Sequence, residues 1–536
     1  MSIPKVEIEK VSNRVEKISN ARKIAELEFI NITPYWVGGP DGNTITCLEW
    51  DGAYCKRIKV AEVTSDTIIG LMRTVLRMIL SCKQEYKTYK DVEMDPLYRR
   101  LFGGKIDGEL DSSKFIITVE TKIDDNILNN LRNRINEWLR RLNHDISYLN
   151  RTKNMSYINI EHINRRIEFF KLEHKYNRRK RKHYIKANKF KIEYIDDYLL
   201  IPRIKLAYMN IASMQKSENN IQSSYSKLVD EIIKNKDQYI RLIFGLPIEP
   251  NRVTVRIKIF ERPGARLSVY DREVLLMLLI LGMSFIGVGK AVSRGFGKFE
   301  LKSPNVNTST YKRIGRLINY IDNINKNISN INDIILDIIG LDREDVDLDE
   351  YTVLPCFLRS FMNPDSYLIK FNDCNIINTL KIIGESTLKN CIKKIKNMPS
   401  RARGYKLHTW LLGLPRSQKS TKCRNKTGYI ISGDVGRHIS GLFFAPLTDQ
   451  RGCSESIFII DLVSLDVPCA LGDKELIHVG INPSNCILYR KRVIDIISED
   501  CEECFDGCIS IINMSNIIND LRGAIKGFIE RGGIQC

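Results

Sequence analysis

Residues 274–302 read VLLMLLILGMSFIGVGKAVSRGFGKFELK: an apolar run, a glycine-rich loop and a short alternating strand in direct succession. The apolar part, Val274–Val288, covers fifteen residues and includes two glycines. Crossing a bilayer takes about 20 apolar residues, so this stretch predicts a buried helix running into a turn. Beyond it, Gly287, Gly289, Gly295 and Gly297 are interleaved with Lys290, Ser293, Arg294 and Lys298. Glycine reaches left-handed torsions and lets a backbone approach a ligand closely. The N–H groups of such a loop cradle phosphate oxygens while the three cations add charge. Phe296 either stacks on a base or packs under the loop. Two familiar phosphate loops are excluded. Gly297-Lys298 is followed by Phe299 rather than Ser or Thr, and the third glycine position of a dinucleotide loop is Val292, after a helix instead of a strand. A plain reversal turn is the alternative, and four glycines among cations weigh against it.

Working outward, residues 252–261 (RVTVRIKIFE) alternate strictly, with Arg252, Arg256 and Lys258 on one face and Val253, Val255, Ile257 and Ile259 on the other. This predicts a half-buried strand with a basic outer face. Near the N-terminus, AELEFINI (25–32) reads as a strand, GGPDGN as a hairpin turn and TITCLEW as a second strand. Residues 65–82 have helical apolar spacing with Ser65 or Asp66 as N-cap, and LFGG (101–104) leads into the alternating KFIITVETK. Strand, helix, strand, then strand, helix, strand suits an α+β ferredoxin-like module over about residues 20–305. Residues 125–190 interrupt it. They are polar, carry Ile and Leu at helical spacing and predict an inserted helical hairpin, with a further strand in KIEYIDDYLLIP. Residues 306–536 read as a second α+β domain, and Gly-Leu-Pro at 245–247 and 413–415 hints at duplication.

Lys+Arg total 83 against 64 Asp+Glu, a net charge of +19, which attracts polyanions and phosphate backbones first among them. Two basic zones stand out: HKYNRRKRKHYIKANKFK, with Arg178, Arg179 and Arg181 and the stacking candidates Tyr176, Tyr184 and Phe190, and residues 401–426, with Arg403 and Arg416. The first twenty residues lack an apolar core, which predicts no targeting signal and a cytoplasmic protein. Of fourteen cysteines, Cys501, Cys504 and Cys508 are the densest group and a weak zinc candidate. Buried thiols or disulfides are the favoured reading. Seven histidines are scattered, with His438 beside Arg437 and near Asp434 the least unsuitable acid–base site, so no catalytic residue is assigned.

The glycine-rich loop after an apolar helix resembles the signature of the RAMP superfamily of CRISPR proteins. INITPYWVGG (30–39), the register Glu62–Arg77 around Gly70, Arg73 and Arg77, and LFG at 101–103 resemble subunit one of the Cmr (type III-B) complex. Five positions depart from that pattern: Thr64 replaces an arginine, Ile69 a lysine, and Thr74, Val75 and Leu76 the aromatics expected between the two arginines. The resemblance implies tandem ferredoxin-like (RRM-like) RAMP domains at the head of a helical complex. It further implies contact with neighbouring RAMP subunits, the 3′ part of the guide RNA and incoming target RNA in antiviral defence. Target cleavage belongs to other subunits, and no cofactor, small-molecule substrate or membrane is implied. Carried over by position, Arg73, Arg77, Lys290, Ser293, Arg294 and Lys298 are the expected RNA contacts. The alternatives are a guide-RNA-processing endoribonuclease of the same superfamily and a purely structural scaffold.

Overall fold

The computed structural model describes residues 22–190 apart from 53, 84, 87, 107–108 and 178–181; 220–346 apart from 307; 354–388 apart from 363; and 416–419, 426–431, 440–448, 453–463, 476–481, 487–492 and 514–530. The chain opens with β1 (Lys23–Asn31), in which Ala25, Leu27 and Phe29 are buried and alternate with Glu26, Glu28 and Ile30. A ribbon of β2 (Ile45–Asp51) and β3 (Tyr54–Val60) follows, joined by a Cys47–Cys55 disulfide. Helix α1 (Ser65–Leu80) is capped by Thr64, whose hydroxyl accepts from Thr67 N, one residue ahead of the expected caps. Next come α2 (Tyr89–Met94), α3 (Pro96–Phe102), a ribbon of β4 (Gly103–Ile106) and β5 (Glu109–Ser112), and β6 (Phe115–Ile123). A long excursion of α4 (Asp125–Thr152), α5 (Ile160–Arg166), β7 (Phe170–Asn177), β8 (Lys182–Phe190), α6 (Ile221–Lys234) and α7 (Lys236–Phe244) precedes β9 (Val253–Glu261). Helix α8 (Val269–Leu281) and β10 (Phe299–Asn305) close the unit.

The main sheet has the order β10-β1-β9-β6, antiparallel throughout. Among these four strands that is fourth, first, third, second, with α1 between the first pair and α8 between the last. This is the β-α-β-β-α-β order expected from the alternation. Apolar residues surround α8 because α1 lies on one side and α9 (Lys312–Asp322) with α10 (Ile324–Ile339) on another. At Gly282 a Cβ would sit 2.8 Å from the Leu71 side chain, so the end of α8 touches α1 directly.

The excursion occupies the link between the second and third strands, and its first part is helical as expected. Residues 170–177 and 182–190 are not: they pair antiparallel as the hairpin strands β7 and β8. Among the described side chains Phe170, Leu172, Ile185 and Ala187 are buried, a period of two that the abundant cations mask in the sequence. The hairpin is tied to α4 by buried Asp145, whose carboxylate accepts the N–H groups of Glu168, Phe169 and Phe170 at 2.7, 2.5 and 3.0 Å. Asp145→Ala leaves three donors without that acceptor. It is expected to cost about 3 kcal/mol, read as a lowered denaturation midpoint; an unchanged midpoint would remove Asp145 from this role. The strand expected in KIEYIDDYLLIP lies outside the described residues.

In the second half, β11 (Leu368–Asp373) leads to α11 (Ile376–Leu388). Then come β12 (Arg416–Lys419), β13 (Lys426–Ile431), β14 (Leu442–Thr448), β15 (Ser454–Asp461), β16 (Leu476–Ile481), β17 (Leu488–Arg492) and α12 (Met514–Glu530). One sheet runs β11-β15-β14, and a second, β12-β13-β16-β17, combines two hairpins. One hairpin enters the chain before β14 and the other after β15. Disulfides join Cys374 to Cys453 within this half and Cys82 to Cys356 between the halves. The remaining eight cysteines, Cys501, Cys504 and Cys508 among them, lie outside the described residues, as does the second Gly-Leu-Pro.

Candidate nucleic-acid interface

The two glycine-bearing signatures lie about 250 residues apart in the chain and meet in space. Residues 287–298 are laced to residues 32–36 by backbone bonds: Ile32 N to Lys298 O at 3.0 Å, Gly297 N to Pro34 O at 3.2 Å and Lys290 N to Trp36 O at 2.8 Å. Thr33 adds its hydroxyl, which accepts from Lys298 N at 2.9 Å. A Cβ on Gly289 would fall 2.6 Å from Trp36 O, so only glycine permits this approach. The Trp36 and Phe296 rings pack 5.5 Å apart beneath the contact.

The lower half of the loop is interior, which corrects the expectation that its side chains reach RNA. Arg294, Phe296 and Lys298 are buried. Lys298 Nζ donates to Phe285 O and Ile286 O at 2.6 and 2.5 Å, closing the turn after α8. Burial holds this ammonium well below the ordinary lysine range. Arg294 donates to Ser440 Oγ at 3.3 Å, and Gly295 abuts Leu380 and Pro446. The buried half of the loop is therefore seated in the second half of the chain. Lys298 also lies 5.7 Å from the Phe443 ring of β14.

The upper half stays open. Gly289 and Lys290 are exposed, Ala291 to Ser293 are half-buried, and Gly38, Gly39 and Gly42 of the neighbouring turn face solvent beside them. Lys290 donates to Gly42 O and sits 5.8 Å from the Trp36 ring. Partial burial lowers its pKa, with Asp41 opposing. Ala291 holds φ +57°, a left-handed residue at the loop tip.

Arg73 and Arg77 do share one face of α1, and that face is covered. The Arg73 guanidinium lies 5.5 Å from the Phe102 ring and that of Arg77 5.5 Å from the Tyr98 ring, both rings on α3. Arg77 also pairs with Glu93. The arginine signature and the LFG signature are thus two sides of one helix–helix contact. On the outer sheet face, Arg256 is enclosed by Glu28, Glu26 and Glu120 at 3.0, 3.6 and 3.7 Å, and Arg252 approaches Glu249 at 3.6 Å. The face expected to be basic is an ion-pair lattice, because β1 and β6 bring glutamates alongside β9. Arg416 opens β12 opposite Tyr429, while Arg178, Arg179, Arg181 and Arg403 lie outside the described residues.

One residue escaped the sequence reading, and one that it placed in the arginine signature has an unexpected setting. Buried Asn31 uses its amide fully: Nδ2 donates to Thr33 O and Glu249 O, and Oδ1 accepts from Arg252 N and Val253 N, pinning the start of β9. Gly70 sits exposed in mid-α1, where a Cβ would meet nothing within 4 Å. A helix-interior glycine costs about 1 kcal/mol against alanine, and nothing packed there among the described residues requires it.

Among the described residues no three metal-ligating side chains cluster, and no helix is long and apolar enough to cross a membrane. No protein-family model matches the sequence, and no curated protein does. Among solved structures the chain is similar to one in the Type III-B Cmr-beta complex bound to cognate target RNA. Identity there is 13% and the TM-score 0.49, over 94% of this chain and 100% of that one. A second Cmr-beta structure, bound to cognate target RNA and AMPPnP in the presence of ssDNA, gives 14% identity and a TM-score of 0.47, covering 95% and 100%. Cmr1 from Pyrococcus furiosus in its apo form gives 13% and 0.35, covering 82% and 88%.

Proposed function

We propose that this chain is a non-catalytic RNA-binding subunit of a CRISPR effector complex of the Cmr (type III-B) kind. In this reading it grips the ribose-phosphate backbone of guide or target RNA and docks against neighbouring RAMP subunits. The 4-1-3-2 sheet of the first half supports a ferredoxin-like module there, and the first-third-second order of β11, β15 and β14 is compatible with part of a second. The observation that carries the reading is the open rim where two glycine-rich turns meet around Lys290 and Ser293, set in a chain of net charge +19. Glycine backbone at the surface with a cation beside it suits phosphate, which every nucleotide shares, and leaves sequence choice to base pairing. Exposed Gly70 supports a second close approach. None of the described histidines belongs to the elements that build this rim.

Lys290→Ala is the test, since Arg294→Ala would probe packing between the halves. The variant is expected to bind single-stranded RNA more weakly and to lower the slope of log affinity against log salt by about 1. Wild-type protein that holds RNA without salt dependence, or not at all, would leave the scaffold reading. RNA recovered cut from the complete binding reaction would favour the endoribonuclease.

A further inference from the structure

The hairpin β7–β8 changes character along its length. Near its base one face is apolar and buried, with Phe170, Leu172, Ile185 and Ala187 packed against the excursion's helices. The same face continues outward as His174, Tyr176 and His183, since residues 170 to 176 of equal parity share it and Tyr176 pairs with His183 across the ladder. These three rings form a stack. Tyr176 and His183 lie 4.6 Å apart at 36°, and His183 and His174 5.1 Å apart at 16°, with His174 Nε2 and His183 Nδ1 2.9 Å from each other. The outer ring, Tyr176, is 49% exposed, so the stack ends on an aromatic ring open to solvent among the described residues. Core side chains do not require this extension.

The mounting is rigid. Asn164 of α5 clasps Leu172 by both of its backbone groups at 2.8 Å, and Asp145 fixes the chain just before β7. A ring stack on a fixed arm, ending in an exposed tyrosine, is a surface onto which a nucleobase continues the pile at little ordering cost. Lys171 and Lys175 are exposed on the opposite face of the same strand, with Lys175 3.5 Å from Glu173, so the stack itself offers ring surface rather than charge.

Resting on the RNA-binding reading above, we infer that the Tyr176–His183–His174 stack is a base-stacking platform for single-stranded RNA, separate from the glycine-rich rim. Each base has a π face, so the platform accepts any sequence. Burial and the charge of neighbouring His183 hold His174 below the usual histidine range, so its ring joins the stack uncharged at neutral pH.

The experiment titrates full-length protein with a fluorescent oligouridylate across a salt series, comparing wild type, Tyr176→Ala, Tyr176→Phe and Lys290→Ala, with thermal midpoints recorded for each. Tyr176→Ala is expected to lower affinity between about 5-fold and 100-fold, because one stacked base is lost. The salt slope should stay at the wild-type value, because no phosphate contact is removed. Tyr176→Phe keeps the ring and should bind as wild type. If Tyr176→Ala binds as tightly as wild type while Lys290→Ala is weakened, the platform is refuted and the RNA-binding reading stands. A loss in Tyr176→Ala accompanied by a smaller salt slope would also overturn stacking, since a charge contact would then be at work. Wild type that fails to bind the oligonucleotide removes both.

Discussion

Removing the disulfide between the halves, as Cys82→Ala with Cys356→Ala, is expected to lower the free energy of unfolding by about 5 kcal/mol. The cross-link spans 274 residues, the longest loop closed by any disulfide among the described residues, and loop-closure entropy grows with the logarithm of that span. The Cys47–Cys55 link spans only 8, and the same relation gives about 2 to 3 kcal/mol for it. Both Cys82 and Cys356 are fully buried at the end of α1, where Phe357 N also donates to Met78 O at 3.0 Å. Small apolar replacements therefore leave the local packing nearly intact. Urea unfolding without reductant, compared among wild type and the two double variants, gives the order of effects. A Cys82/Cys356 variant that unfolds at the wild-type urea concentration would show that these thiols are not joined in the protein.

That cross-link belongs to a larger joint. The buried side of the glycine-rich loop enters the second half, Arg294 reaches Ser440, and Lys298 faces Phe443. The loop thus has two surfaces with separate duties, one seating the halves together and one left open to solvent. Nothing local in GVGKAVSRGFGK distinguishes Lys290 from Lys298. Their different fates depend on α11 and β14, which begin 78 and 144 positions after Lys298, and short-range pattern does not report such packing. The four sheet strands and their helices were legible because alternation of buried and exposed side chains is a local property. The same holds for the apolar α8. Residues 170–190 misled because alternate cations there hide four buried positions. Arg73 and Arg77 were correctly placed on one helix face, but the helix that covers that face comes from a distant motif. Asn31 had no signal beyond being a polar residue at a strand end.

Gly297→Ala is expected to destabilise the protein by about 4 kcal/mol, the clearest test of the lacing between the two signatures. The residue has φ +62°, and an added Cβ would lie 2.0 Å from Val288 O. Val288 N donates to Gly297 O at 2.9 Å, and Gly297 N donates to Pro34 O, so neither backbone can retreat without breaking a bond. Relief requires moving the loop from residues 32–36, from the second half, or from both. Gly70→Ala is the opposite case. The helix interior gains a better former with open space around it, so stability should rise by up to about 1 kcal/mol. If RNA backbone approaches α1 at Gly70, this more stable variant binds RNA less well, because the methyl group occupies the approach. Thermal melts and RNA titrations on the same two variants separate the roles. Gly297 is held by packing inside the chain, whereas no described residue comes within 4 Å of a Cβ at Gly70. A Gly70→Ala protein that is both more stable and fully competent for RNA would assign that position to neither.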